Sequence, residues 1–329
     1  MKLLFSTIFI VALTSVFAES SLYPFETNGL IGYMTQTGYI RIKEKYEEGG
    51  PFVNGFANVG FKNGEIGFIN LNGDIIVKKT NITNITSFSD GYLAFSEKNE
   101  MRNLYGFMDE TGKVIIPCQF EAAGPFVNGK AVVKKSGKWG IINKQGKFLL
   151  PATFFRMGKC FSEGLLQVQR TSDSPWEYIN EKFERVFSLD KSVKVVGSFY
   201  NNRAIIVKNG LYGYIDTKGM EKIPCKYLYA WSFSENLAAV SSENGSGYID
   251  KYGKIVIPFN YSNALPFNEG YAAIRINHLW GFVDKTGKIV ISPQYDEASN
   301  FMKGLAFVVS DAFCGYIDKN GKQIIPRQK

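Results

Sequence analysis

The sequence predicts an all-β protein built from tandem three-stranded antiparallel meanders of about 35 residues, stacked as a propeller-like ring or as an open β-solenoid. Three observations lead there. A Gly-aromatic hairpin recurs with starts at 32, 67, 106, 140, 177, 213, 247, 281 and 315. A second marker, Phe-x-x-Gly, runs in phase from Phe52, Phe88, Phe126, Phe161, Phe199, Phe233, Phe267 and Phe301. Between the markers lie only short apolar runs, separated by Gly and Asx turn residues, which is the pattern of strands joined by tight turns.

Residues 1–18 read as a secretory signal peptide. Lys2 is the positive region, Leu3 to Val16 the apolar stretch, and Val16-Phe17-Ala18 a small-residue exit for cleavage after Ala18. No later run is long or apolar enough to span a bilayer, so export without a transmembrane segment is the expectation. Residues 19–29 form a lead-in, and 30–329 a single array of about eight to nine units.

One unit is read from residues 126–151. Phe126-Val127-Asn128-Gly129 is a turn and Lys130 to Lys134 a first strand. Trp139 to Asn143 is a second strand, and Lys147 to Leu150 a third, ended by Pro151. Between the last two, Asn143-Lys144-Gln145-Gly146 makes a turn in which the Asx side chain binds the backbone two residues on and Gly takes the left-handed position. Asn202 and Asn236 stand in the Gly slot of the Phe-x-x-Gly marker, and Asn also tolerates positive φ. The third strands, such as Ile255-Val256-Ile257, are apolar at successive positions, which predicts cover on both faces by neighbouring units. Eight units are complete in both markers. The hairpin at 32–42 is surplus and polar, as the cap of an open array would be.

These units resemble the WG repeat, also called the KWG repeat. The resemblance rests on Lys138-Trp139-Gly140, Trp280-Gly281, the Ile-Asp-x-x-Gly-Lys hairpins, the Ile-Pro exits at Pro117, Pro224, Pro258 and Pro326, and Phe161-Ser162-Glu163-Gly164. It covers roughly residues 30 to 327. The fifth unit departs most, with Glu177 in the Gly slot. The resemblance implies a repeat scaffold and supplies no catalytic residues.

The composition narrows the function. The only histidine, His278, falls in a turn, which leaves no zinc set and no Ser-His-Asp site. Asp109, Asp216, Asp250, Asp284 and Asp318 are explained as turn residues. A propeller hydrolase would need two acids flanking one bond, from acids outside that pattern such as Glu177, Glu181, Glu184, Asp296 and Glu297. Cys118, Cys160, Cys225 and Cys314 have no CxxC spacing and read as small buried thiols. The formal charge of +8 is spread over single lysines, without the concentrated patch that nucleic acid requires. No metal and no cofactor is expected. The expected function is an exported, non-catalytic scaffold for a protein partner, with surface or cell-wall glycan as the alternative ligand. Aromatics outside the repeat phase, Tyr200, Tyr229 and Trp231, are the candidate binding residues, since exposed rings serve both kinds of contact. The worn fifth unit and the irregular 80–104 segment are further places where a partner would find asymmetry.

Overall fold

The computed structural model describes residues 21–79, 82–86, 88–98, 102–195 and 197–326. The signal-peptide reading of 1–18 lies outside the described residues. The described chain folds into nine small antiparallel sheets, arranged as a nine-bladed β-propeller. Blade 1 covers 23–46 and has three strands. Blades 2 to 9, at 48–79, 82–120, 122–154, 156–188, 194–227, 229–261, 263–295 and 297–324, have four.

Blade 8 shows how the sequence builds one sheet. Its strands are Asn263–Ala264, Tyr271–Ile276, Leu279–Asp284 and Ile289–Tyr295. The short first strand is an addition to the expected three, and it carries the chain into the Phe-x-x-Gly turn. Asp284 closes the hairpin to the fourth strand: its Oδ1 accepts the backbone N–H of Thr286 at 2.9 Å and of Lys288 at 3.1 Å, and Gly287 sits at φ 86°. In the sheet, Phe282 faces Ile291 while Trp280 faces Tyr295, so the fourth strand bulges past Gly281. A Cβ at Gly281 would lie 2.5 Å from the Ile291 carbonyl oxygen. The glycine of the Trp-Gly pair is therefore a steric requirement of the crossing strand.

The fourth strands are exposed edges rather than covered on both faces. In Ile289–Tyr295 only Ile291 and Tyr295 are buried, while Ile289 and Val290 are exposed. Ile255 and Val256 repeat this in blade 7. Proline in the fourth position of the strand (Pro117, Pro151, Pro224, Pro258) removes a donor, which fits an edge strand and discourages pairing with another chain.

The core is divided among the junctions. Between blades 7 and 8, Leu237, Tyr248 and Ile257 of one sheet pack on Ala264, Phe267, Ala272 and Ile274 of the next. Burial of such side chains is worth about 25 cal/mol per Å², so stacking holds the short strands in place. Buried tyrosines also tie neighbours together. The hydroxyl of Tyr33 donates to Gly50 O at 3.0 Å, of Tyr214 to Trp231 O at 2.7 Å, and of Tyr248 to Leu265 O at 2.8 Å, each in the following blade.

The ring closes with the hairpin at 32–42 as a working part of it. The strand Tyr23–Thr27 lies in the stretch read as a lead-in and pairs with Leu30–Met34. Tyr23, Phe25 and Met34 then pack on Leu305, Tyr316 and Ile324 of blade 9. The eight-unit count fell short because blade 1 has no Phe-x-x-Gly turn, only the hairpin half of the pattern. Among the described residues, neither end of the chain adds a strand to the other's sheet.

Blade 5 bears out its irregular sequence. With Glu177 in place of glycine, the fourth strand Arg185–Ser188 pairs in simple register, Glu177 with Ser188 and Tyr178 with Phe187, and no bulge passes over that position. The 80–104 segment, by contrast, supplies ordinary blade 3 strands at Ile82–Ile85, Leu93–Lys98 and the start of Asn103–Met108. Among the described residues no helix is long and apolar enough to cross a membrane.

Candidate interaction sites

The second strand of each blade begins opposite the end of the third, as Tyr271 does opposite Asp284. This register puts the Phe-x-x-Gly turn and the Asx-x-x-Gly hairpin at the same end of each of blades 2 to 9. One face of the propeller, the turn face, thus carries both sets.

Neighbouring blades are latched across this face, in two charge arrangements. In the first, the residue before the turn glycine is acidic. Glu269 accepts the backbone N–H of Gly304 at 2.8 Å and pairs with Lys319 Nζ at 3.1 Å, both in blade 9. Glu235 accepts Gly270 N–H and pairs with Lys285 Nζ at 2.8 Å. Asp90 accepts Gly129 N–H and pairs with Lys144 Nζ at 3.1 Å. Glu163 accepts Asn202 N–H at 2.9 Å, without a lysine. In the second arrangement that position is asparagine and the base stands two residues later. Lys130, after Asn128, reaches Glu181 at 3.3 Å. Arg203, after Asn201, donates from Nη2 to the Lys251 carbonyl oxygen at 2.8 Å. Except at Glu163, where the following hairpin carries Thr217, a cation bridges the turn of one blade and the hairpin of the next.

The junction of blades 2 and 3 has neither such a cation nor an acidic residue before its turn glycine. Asn54 holds the acidic position, Phe56 the basic one, and Glu110 stands in the hairpin position that Lys144, Lys285 and Lys319 occupy elsewhere. Asn54 Nδ2 donates to Phe88 O at 2.6 Å. Here the turn face opens into a cavity of about 630 Å³, lined by Asn54, Phe56, Asn70, Asn72, Asp90 and Glu110 among others. Glu110 is exposed and has no ion-pair partner among the described residues. These residues were absent from the sequence-based candidates. The signal was available in the hairpin column, where Glu110 and Glu181 stand at the position of Lys144, Lys251, Lys285 and Lys319, but only knowing which turn faces which hairpin shows that Glu181 meets Lys130 while Glu110 meets no base among the described residues.

The aromatic candidates fall into two places. Tyr200 lies in the turn after Phe199, on the turn face, half-buried, and burial raises its hydroxyl above the usual tyrosine range. Tyr229 pairs with Ser241 near the far end of its blade, which puts it on the opposite face. There the Tyr229 ring contacts Tyr212 at 5.3 Å and Trp231 at 5.5 Å. Tyr229 is 43% exposed and the adjacent Leu228 51%, while Trp231 is half-buried against the core. Tyr229 and Trp231 are brought together, and Tyr200 is not part of their cluster.

Other candidates have local roles. Asp109, Asp216, Asp250, Asp284 and Asp318 each accept two backbone N–H groups of their own turn. The Thr111 hydroxyl, ahead of opposing desolvation and assisting backbone bonds, holds Asp109 below the usual carboxylate range. Glu177 is buried and paired with Arg170 at 3.0 Å and Arg185 at 3.9 Å. His278 is exposed in its turn. None of the four cysteines forms a disulfide, and only Cys314 among them is exposed rather than half-buried. No group of three metal-ligating side chains occurs among the described residues.

The sequence profile of the WG containing repeat matches residues 66–100, 105–139, 139–170, 212–245, 247–279, 280–311 and 315–328. The chain belongs to the WG containing repeat family. The matched segments pass over 171–211, where Glu177 displaces the glycine. Among solved structures, this WG-repeat chain is similar to a eukaryotic initiation factor, with a TM-score of 0.66 at 10% identity over 93% of this chain and 95% of that one. It is also similar to the dihydro-heme d1 dehydrogenase NirN, with a TM-score of 0.50 at 13% identity over 92% of this chain and 75% of that one. At such identity these likenesses concern the fold alone. The comparison with curated protein sequences gives no match.

Proposed function

We propose that this WG-repeat propeller is an exported, non-catalytic scaffold that binds a protein partner. The observation that carries the reading is the patch formed by Leu228, Tyr229, Tyr212 and Trp231. The exposed Tyr229 ring is held by contact with the rings of Tyr212 and Trp231, and Leu228, also exposed, is its chain neighbour. Rigid aromatics that surrender little side-chain freedom are what protein interfaces use as anchors. Their backbone is held as well, since the Trp231 carbonyl accepts the Tyr214 hydroxyl. Export rests on the reading of residues 1–18, and the non-catalytic reading on the turn roles of the recurring aspartates.

The test is capture by the full mature chain and by its Tyr229→Ala variant, from an extract of the exported fraction. The same partner should be retained by the parent and lost from the variant at unchanged melting temperature. Equal retention by both removes Tyr229 from the interface. Aromatic rings also stack on sugar faces, so insoluble wall glycan is the second ligand in the same experiment. Retention on glycan alone would replace the protein partner.

A further inference from the structure

The cavity between blades 2 and 3 has counterparts of known occupancy elsewhere in the ring. At the junction of blades 3 and 4, the ring two residues after the acidic position, Tyr92, packs at a tilt against Phe126 at 5.1 Å. The Lys144 ammonium lies 5.3 Å from the Tyr92 centroid and 3.1 Å from Asp90. At the junction of blades 8 and 9, Tyr271 packs at a tilt against Phe301 at 5.6 Å, and Lys319 lies 5.6 Å from the Tyr271 centroid and 3.1 Å from Glu269. At the junction of blades 2 and 3 the same pair of rings is present, Phe56 on Phe88 at 4.8 Å. A carboxylate, Glu110, is present too. The lysine is not, because Glu110 occupies its column.

We propose that this cavity receives the ammonium group of a lysine side chain from a protein partner, seated over the Phe56 ring and paired with Glu110. The chemistry is the one the chain uses on itself: an ammonium between an aromatic face and a carboxylate. The amides of Asn54, Asn70 and Asn72, which also line the cavity, supply donors and acceptors for the peptide carrying that lysine. The chain as a whole is basic, with a formal charge of +8. A cationic peptide therefore gains no general attraction from it, and recognition has to come from the local carboxylates. This site goes beyond the Tyr229 patch, on the opposite face, and shares with it only the premise of a protein partner.

The experiment is fluorescence anisotropy of a labelled pentalysine peptide titrated with the full mature chain at low ionic strength. Saturable binding is expected, weakened about two- to fivefold by Glu110→Gln, the scale of one exposed ion pair. Glu243→Gln, an exposed carboxylate change on the opposite face, should leave binding unchanged. The double variant Asn54→Glu, Glu110→Lys rebuilds the latch of the other junctions. It should abolish binding while its melting temperature stays at or above that of the parent, which separates occupation of the site from misfolding. Absence of saturable binding, or equal loss in Glu243→Gln, or full binding by the double variant, would overturn the proposal. A partner captured by the parent and lost only with Tyr229→Ala would leave the scaffold reading standing without this site.

Discussion

The hydroxyl of Tyr23, in the first strand of the ring, donates to the carbonyl oxygen of Lys303 in the last Phe-x-x-Gly turn, 2.5 Å away. It joins residues 280 positions apart. With the packing of Tyr23 against Tyr316 at 5.4 Å, it does at the closing junction what a strand shared between first and last blades would do elsewhere. Tyr23→Phe keeps the ring contact and removes the bond. The expected loss is about 1 kcal/mol, read as a small fall in melting temperature by calorimetry. Tyr23→Ala should cost several times more, since it also empties part of the closing core.

Gly281 is expected to tolerate no side chain. Gly281→Ala would press a methyl group to 2.5 Å from the Ile291 carbonyl oxygen and 2.6 Å from the Pro293 nitrogen, both backbone atoms that cannot swing aside. We expect a loss of more than about 2 kcal/mol, among the large effects of a single substitution, seen as a shifted denaturant midpoint. A melting temperature equal to the parent's would show that the fourth strand is free to move off.

The hairpin aspartates set the acid limb of stability. The Thr286 hydroxyl, then backbone N–H groups of Thr286 and Lys288, hold Asp284 below its ordinary range against some desolvation. Asp109 is held the same way by Thr111. A carboxylate depressed in the folded state contributes stability that is present above its unfolded value of about 4 and lost as pH falls through the folded value. Stability should therefore hold from neutrality to about pH 4 and decline below. Asp284→Asn should keep the turn, since Asn143 makes the same two backbone contacts in blade 4. It should also flatten that decline, as followed by acid titration of circular dichroism.

The alkaline limb belongs to the buried tyrosines. Burial raises Tyr33, Tyr178, Tyr214, Tyr248 and Tyr316 well above the ordinary tyrosine value. Below about pH 10 these phenols are neutral both folded and unfolded; above it only the unfolded chain ionises freely, so unfolding gains. Stability should fall steeply above about pH 10. Phenolate absorbance should rise together with loss of circular dichroism; ionisation complete before unfolding would contradict the burial of these rings.

The repeat was legible because its chemistry is local. Asp284 and Gly287 make their turn whatever surrounds them, and so do Asp109 and Gly112. The ninth blade was obscured because blade 1 lacks the turn that marks the others. Ile289 and Val290 read as covered because two successive apolar residues imply two buried faces; the proline four places into such strands was the contrary sign of an edge. Tyr229 and Trp231 could be marked as aromatics outside the phase, but only the strand register puts Tyr200 on the other face. The cavity at Glu110 was illegible for a different reason. Its meaning lies in a relation between two blades, Asn54 and Phe56 on one and Glu110 on the next, and such relations appear only once the order of contact is known.

The two charge arrangements of the latches make the blades non-interchangeable parts. Blade 8 presents Lys285 to a predecessor carrying Glu235, whereas blade 4 offers Lys130 and requires a follower with Glu181. Transplanting blade 8 to follow blade 4 would set lysine against lysine. Each seam thus acts as an address, and the sequence of addresses disfavours slippage of one repeat onto the wrong neighbour while a chain of near-identical units assembles.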